Sequence, residues 1–228
     1  MERWKSEEDR FKQHFLSLTD EKTLAWIQRK TEEYMQLMSY YRCAMMEIET
    51  KFNVLKEEFS LAHDRDPINS IKTRLKSIAS IREKLERQGL PSSLDSIEEN
   101  LQDIAGVRVI CSFTRDVYTL AEALLKQDDI TLIETRDYIA NPKPNGYRSL
   151  HIIVSIPIFL KKEKRRMKVE IQLRTIAMDV WASLEHQLRY KKERPFTDEM
   201  MAELQLCADL SAELDGRMDS LRERVLQD

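Results

Sequence analysis

Leu24, Ile27, Thr31, Tyr34, Met38, Tyr41, Met45, Ile48, Phe52, Leu55 and Phe59 recur at alternating steps of three and four. That spacing is a heptad stripe and predicts one long amphipathic helix. Thr19 or Asp20 could cap its start. Pro67 breaks the pattern. A second helix is expected over about 68–87, ended by Gly89 and Pro91, and 92–102 reads as a short acidic helix or loop. The period then becomes strand-like, with Val107 to Cys111 short and β-branched. A helix is expected from Val117 to Lys126. Strands are expected over 130–139, 149–156 and 167–173, with a basic hairpin or loop at 161–166. A further helix runs over about 176–192 and stops at Pro195. Met200, Leu204, Cys207, Ser211, Leu214, Met218, Leu221 and Val225 form a second heptad-like stripe.

Helices, then a mixed core, then a helix give an α+β fold: a mixed central sheet of about five strands with helices packed on it and long N- and C-terminal helices. The expected divisions are an N-terminal helical arm (1–66), a catalytic core (67–192) and a C-terminal oligomerisation helix (193–228). No apolar run approaches bilayer length, and the N-terminal residues lack the apolar core of an export signal. Cys43, Cys111 and Cys207 are widely spaced, with no metal-binding pattern, and read as buried thiols of a reducing cytoplasm.

The net charge of -3 argues against a general nucleic-acid binder, but the charge is uneven. Lys72, Arg74, Lys76, Arg82, Lys84 and Arg87 crowd one short segment, a concentration suited to a small polyanion. The segment from Asp137 to His151 packs two prolines, two asparagines, a glycine, two tyrosines, a lysine, an arginine and a histidine between two expected strands. A plain connector needs Pro, Asn and Gly; it does not need Lys, Tyr, Arg and His as well. Asp103 and Glu170 are carboxylates on or beside two expected strands. Glu170 and Gln172 share a face by strand alternation, which alone would describe a solvated surface. Together with the basic segment, the two carboxylates suit Mg²⁺ bridged to phosphate oxygens.

Four stretches resemble the synthetase domain of the RelA/SpoT family, and in particular its short, single-domain members, the small alarmone synthetases. They are Arg74 to Lys84 (R-x-K-x-x-x-S-I-x-x-K), Asp103 to Arg108, Tyr138 to His151 (Y-I-x-x-P-K-x-N-G-Y-x-S-L-H), and Val169 to Thr175 followed by Trp181 to His186. The resemblance implies pyrophosphoryl transfer from ATP to the 3′-hydroxyl of GTP or GDP, with Mg²⁺ as cofactor. It implies that Asp103 and Glu170 hold the metal and that one of them takes the hydroxyl proton. Arg74, Lys76, Ser80, Lys84 and Arg108 would serve ATP, the two arginines sandwiching adenine. Arg136, Lys143, Asn145, Tyr147, His151, Gln172 and Asp179 would serve the guanosine nucleotide, with Tyr147 stacked on the base. A carboxylate at Asp179 could accept from the two guanine donors; as a bare sequence position it could equally be a helix-surface charge. On one helix, Arg74 and Lys84 would face the same side, with Lys76 turned elsewhere.

The short members form homotetramers, so a tetramer is expected. His63-Asp64 looks like a hydrolase dipeptide, but the four histidines do not cluster, and a synthetase without hydrolase is the reading. Rival readings are a nucleotidyl transferase with another acceptor, a nucleic-acid-binding protein using the basic stretch 161–168, and a purely structural oligomer. RNA could regulate a real enzyme but is not an expected partner, and no membrane association is expected.

Overall fold

The computed structural model describes residues 21–63, 65–189 and 196–225. The chain divides into two compact units, Met1–Tyr40 and Tyr41–Asp228. Helix α1 covers Glu21–His63, as the heptad stripe predicts. Within the second unit its Tyr41, Met45, Ile48, Phe52 and Leu55 are buried. The candidate caps Thr19 and Asp20, and Asp64 of the His63-Asp64 pair, lie outside the described residues.

Five strands follow: β1 (Ile68–Leu75), β2 (Ala105–Cys111), β3 (Thr131–Asp137), β4 (Leu150–Phe159) and β5 (Lys164–Thr175). Their spatial order is β1-β2-β5-β4-β3, and β2 with β5 is the parallel pair in an otherwise antiparallel sheet. The helices between and after them are α2 (Ile78–Arg87), α3 (Leu94–Asn100), α4 (Thr114–Leu125), α5 (Ile176–Arg189) and α6 (Asp198–Val225). The α+β sheet architecture expected from the sequence is therefore present. Alternation places Val107, Val109 and Cys111, Val169, Ile171 and Leu173, and Leu150, Ile152 and Val154 on one buried face. Helix α4 packs there with Val117, Leu120, Ala121 and Leu124. Each valine, leucine or isoleucine among them contributes about 1.5–3 kcal/mol by leaving water.

Three expectations are corrected. The segment 68–87 is not one helix: Ile68–Leu75 is an edge strand paired with β2, and only Ile78–Arg87 is helical, capped by Ser77, whose hydroxyl accepts from the Ser80 amide. The charged residues that suggested a helix are those an edge strand carries against unwanted pairing. The expected loop at 161–166 is shorter, because β5 begins at Lys164; Leu160 N donates to Glu163 O across the turn. Of the cysteines, all free, Cys111 is buried, Cys43 half-buried and Cys207 exposed, since Cys207 lies on the outer side of α6. Gly89, at φ +66°, ends α2 as expected, with Leu90 N donating to Leu85 O.

Helix α6 presents two faces. Leu204 and Ala208 point inward and are buried, while Leu210, Leu214, Met218 and Leu221 are exposed. Leu210, Leu214 and Met218 border an apolar groove of about 800 Å³ shared with Val180, Trp181 and Leu184 of α5. Among the described residues, no helix is long and apolar enough to cross a membrane.

Candidate active site

The sheet face opposite the apolar core carries the chemistry. Strand pairing sets Lys72, Arg108, Gln172, His151 and Arg136 in one row across all five strands. Two residues along, Arg74, Gly106 and Glu170 form a second row on the same face. A cleft of about 350 Å³ opens over β1, β2 and β5, lined by Arg74, Lys76, Asp103, Arg108, Glu170 and Gln172, with Lys72 at its rim. Gly106 leaves the floor bare between Arg74 and Glu170.

Lys76 Nζ donates to Asp103 Oδ2 at 3.0 Å, and Lys84 Nζ lies 2.8 Å from Oδ1. Lys76 therefore does not turn away from Lys84, as a single helix would have required. It leaves the end of β1 and meets Lys84 of α2 on the same carboxylate. Burial would raise the Asp103 carboxyl, but the hydrogen bonds and charges of Lys84 and Lys76 outweigh it and hold the group below its ordinary value. Ser80 is tied to the Ser77 hydroxyl at the start of α2, outside the cleft lining.

Glu170 is held by its neighbours in the rows. Gln172 Nε2 donates to Glu170 Oε2 at 3.0 Å, and His151 Nδ1 lies 3.3 Å from Oε1. His151 Nε2 is 2.8 Å from the Tyr147 hydroxyl, which accepts from Arg174 Nη2. One proton assignment satisfies the chain: Arg174 donates to Tyr147, Tyr147 to Nε2, and Nδ1–H to Glu170. Burial pushes the Glu170 carboxyl up, and the Asp103 charge pushes the same way. His151, by hydrogen bond and when protonated by charge, and Gln172 together prevail and lower it. Asp103 and Glu170 both line the cleft.

Asp179, one turn into α5, accepts from Lys72, Arg108 and Arg174 at 3.3–3.5 Å. It is not a bare surface charge; it joins the cleft cations Lys72 and Arg108 to Arg174. Arg174 is 4% exposed and also donates to Ser149 Oγ and Gln172 Oε1. Sequence reasoning missed it, although the alternation that pairs Glu170 with Gln172 puts Arg174 next on the same face.

The 138–151 segment gathers Tyr138, Lys143, Tyr147 and His151. Lys143 Nζ sits 4.5 and 4.7 Å from the Tyr138 and Tyr147 ring centroids. The Tyr147 ring meets Tyr138 and His151 edge-on, and the Arg174 guanidinium lies 5.0 Å from its centroid. The Tyr147 ring is half-buried among cations and aromatic edges. Asn145 turns to Glu185 Oε1 of α5 at 3.3 Å, and its own Oδ1 accepts from Tyr147 N. Arg136 is engaged bidentately by Glu134 on its own strand.

The residues present fit a magnesium ion. Asp103 and Glu170 line one cleft, and Mg²⁺ is commonly held by one or two carboxylates with phosphate oxygens and water completing the shell. The described residues offer no group of three or more His, Cys, Asp or Glu side chains, as a substrate-independent metal cage would require.

The sheet order, the parallel pair at its centre and the charged face above it define a nucleotidyltransferase-like α+β domain. Residues 73–195 match the region found in RelA/SpoT proteins. GTP pyrophosphokinase YwaC of Bacillus subtilis is 40% identical over 194 residues, covering 85% of this chain and 92% of the relative. The structure of small alarmone synthetase 1 from Bacillus subtilis bound to its product pppGpp matches with a TM-score of 0.77 at 35% identity, over 85% of this chain and 98% of that one. The same synthetase bound to AMPCPP matches with a TM-score of 0.73 at 32% identity, over 86% and 100%. The chain belongs to the RelA/SpoT family.

Proposed function

We propose that this chain is a GTP pyrophosphokinase that moves the β,γ-pyrophosphate of ATP to the 3′-hydroxyl of GTP or GDP, giving (p)ppGpp and AMP. The observation that carries the reading is the single sheet face on which two carboxylates, a cationic wall and the Tyr147–His151 cluster meet. A GTP pyrophosphokinase relative and, separately, a small alarmone synthetase of matching fold bound to its product pppGpp support the substrates.

Arg74, Lys76, Lys84 and Arg108 take the donor side. The lysines hold phosphates, and the flat guanidinium groups suit adenine. Lys143, Tyr147, His151 and Asp179 take the acceptor side, with Asn145, Arg136 and Gln172 as their supports and Ser80 at the margin of the donor side. Asp103 and Glu170 would hold Mg²⁺, which when bound would neutralise phosphate charge and polarise the β-phosphorus. The 3′-oxygen attacks that phosphorus, its bond to the bridging oxygen of AMP breaks, and AMP carries the electron pair away. Glu170 takes the hydroxyl proton. Its lowered pKa keeps it ionised at neutral pH, and Gln172 and His151 fix its direction.

The reaction is placed in the cytoplasm, in a chain built as arm (1–66), catalytic core (67–192) and assembly helix (193–228). The exposed apolar side of α6 supports a homotetramer; an unchanged native mass after deletion of residues 197–228 would refute that role for the helix. The basic stretch gives RNA little support, because Arg165 is paired with Glu98, Arg166 with Ser155 and Thr131, and Lys168 with the Glu98 and Glu99 carbonyls.

The test is incubation with ATP, GTP or GDP, and Mg²⁺, with the nucleotides resolved. Glu170→Gln keeps the shape but loses base and ligand, and turnover should fall by about 10²–10⁴-fold. Absence of any guanosine tetra- or pentaphosphate from the folded wild-type protein would overturn the assignment.

A further inference from the structure

Helix α6 crosses behind the acceptor segment, and several contacts bind the two. Gly146 stands at φ +85°, and a Cβ built on it would lie 2.4 Å from the Ala208 Cβ and 3.2 Å from the Gln205 side chain. The backbone of the segment therefore touches the helix without any spacer. Ala208, 2% exposed, packs with Trp181 and Ala182, and the Tyr147 ring lies against that cluster. Trp181 Nε1 donates to Leu204 O at 3.0 Å, which fixes the helix height against α5. About two turns beyond Ala208, Thr175 Oγ1 donates to Asp215 Oδ2 at 2.7 Å. Thr175 ends the strand that carries Glu170, Gln172 and Arg174, and its hydroxyl also accepts from Met178 N at the start of α5.

We infer that the inner face of α6 is a positioning element for the guanosine nucleotide, with Ala208 and Asp215 as its positioning residues. The inference rests on the reaction proposed above. Ala208 sets the depth of Gly146 and the seat of the Tyr147 ring. Asp215 holds the end of β5 and so the bearing of Arg174, whose guanidinium grips the Tyr147 hydroxyl. Neither residue lines the donor cleft. Their loss should therefore be felt on one substrate only.

The test compares Ala208→Leu and Asp215→Ala with the wild type by calorimetry against GDP and, separately, against a non-hydrolysable ATP analogue. GDP affinity should fall about tenfold or more for Ala208→Leu, about 1.4 kcal/mol, and less for Asp215→Ala, with ATP-analogue affinity held within about twofold of wild type. A double-variant cycle gives a second arm: Gly146→Ala should lose GDP binding, and adding Ala208→Gly should restore part of it by removing the clashing Cβ. Equal loss of both ligands, no loss of either, or strict additivity in the cycle would overturn the inference. Wild-type turnover is followed in parallel; its failure would sink the reaction while leaving the binding comparison standing.

Discussion

Arg174→Met removes the most heavily shared donor in the site. In the wild type the guanidinium serves the Tyr147 hydroxyl, Ser149 Oγ, Gln172 Oε1 and Asp179 Oδ1, from a position 4% exposed. Breaking a buried ion pair costs about 3–5 kcal/mol when the surviving charge is left alone. Here each partner keeps another: Asp179 retains Lys72 and Arg108, Tyr147 retains His151, Gln172 retains Arg108, and Ser149 still donates to Leu173 O. The loss should fall below that range, at about 2–3 kcal/mol, made of weakened charged hydrogen bonds and one poorly filled site. Urea unfolding reads it as a lower midpoint at constant slope. Arg174→Lys keeps the charge beside Asp179 but has no fork to reach Tyr147 and Ser149 together. It should recover part of the stability and little of the guanosine-nucleotide affinity. A change in stability below about 0.5 kcal/mol for Arg174→Met, a value ordinary for an exposed site, would refute the reading of Arg174 as the joint of the site.

Lys84→Met should destabilise by about 1–2 kcal/mol at pH 7. Asp103 has a lowered folded-state pKa, so its pairing contributes above the unfolded value of about 3.9 and is lost as pH falls through the folded value. The difference between variant and wild type should therefore shrink as the pH is taken down below the unfolded value and through the lower folded one in acid-unfolding titrations. Gly106→Val should fold normally, because a Cβ there meets nothing nearer than Arg74 O at 3.5 Å and β-branching suits a strand. It should still weaken the ATP analogue by about tenfold or more by filling the cleft floor, about 1–3 kcal/mol of overpacking; unchanged calorimetric affinity would place the donor elsewhere.

The long α1 helix, the alternation of β4 and β5 and the charged segment before His151 were all legible, because each is a local pattern. Strand β1 was not. Ile-Asn-Ser-Ile-Lys-Thr-Arg-Leu lies at the sheet edge with one fully buried residue, Ile68, so it lacks the apolar alternation that marks a strand. Its lysine and arginine spacing then continued smoothly into α2 and suggested one helix. The error displaced Lys76 from the Asp103 pair and gave Arg74 and Lys84 a shared helical face they do not have. Nothing local in the sequence shows that α6, some sixty positions on, packs behind Tyr147. Arg174 was within reach of the pattern, one step further along β5.

The row Lys72, Arg108, Gln172, His151, Arg136 behaves as a ruler whose marks cannot be moved separately. Adjacent strands lie about 4.8 Å apart, so the order and spacing of the five groups are set by register alone. Inserting or deleting one residue within β2 or β5 would exchange every outward group for a core one: Val107 or Val109 in place of Arg108, Ile171 or Leu173 in place of Gln172. Length changes are therefore forbidden across the middle of this sheet and tolerated at the turn around Lys161 and Lys162, which lies beyond its far end. Among relatives, gaps in alignment should fall at that turn and stay out of the two central strands.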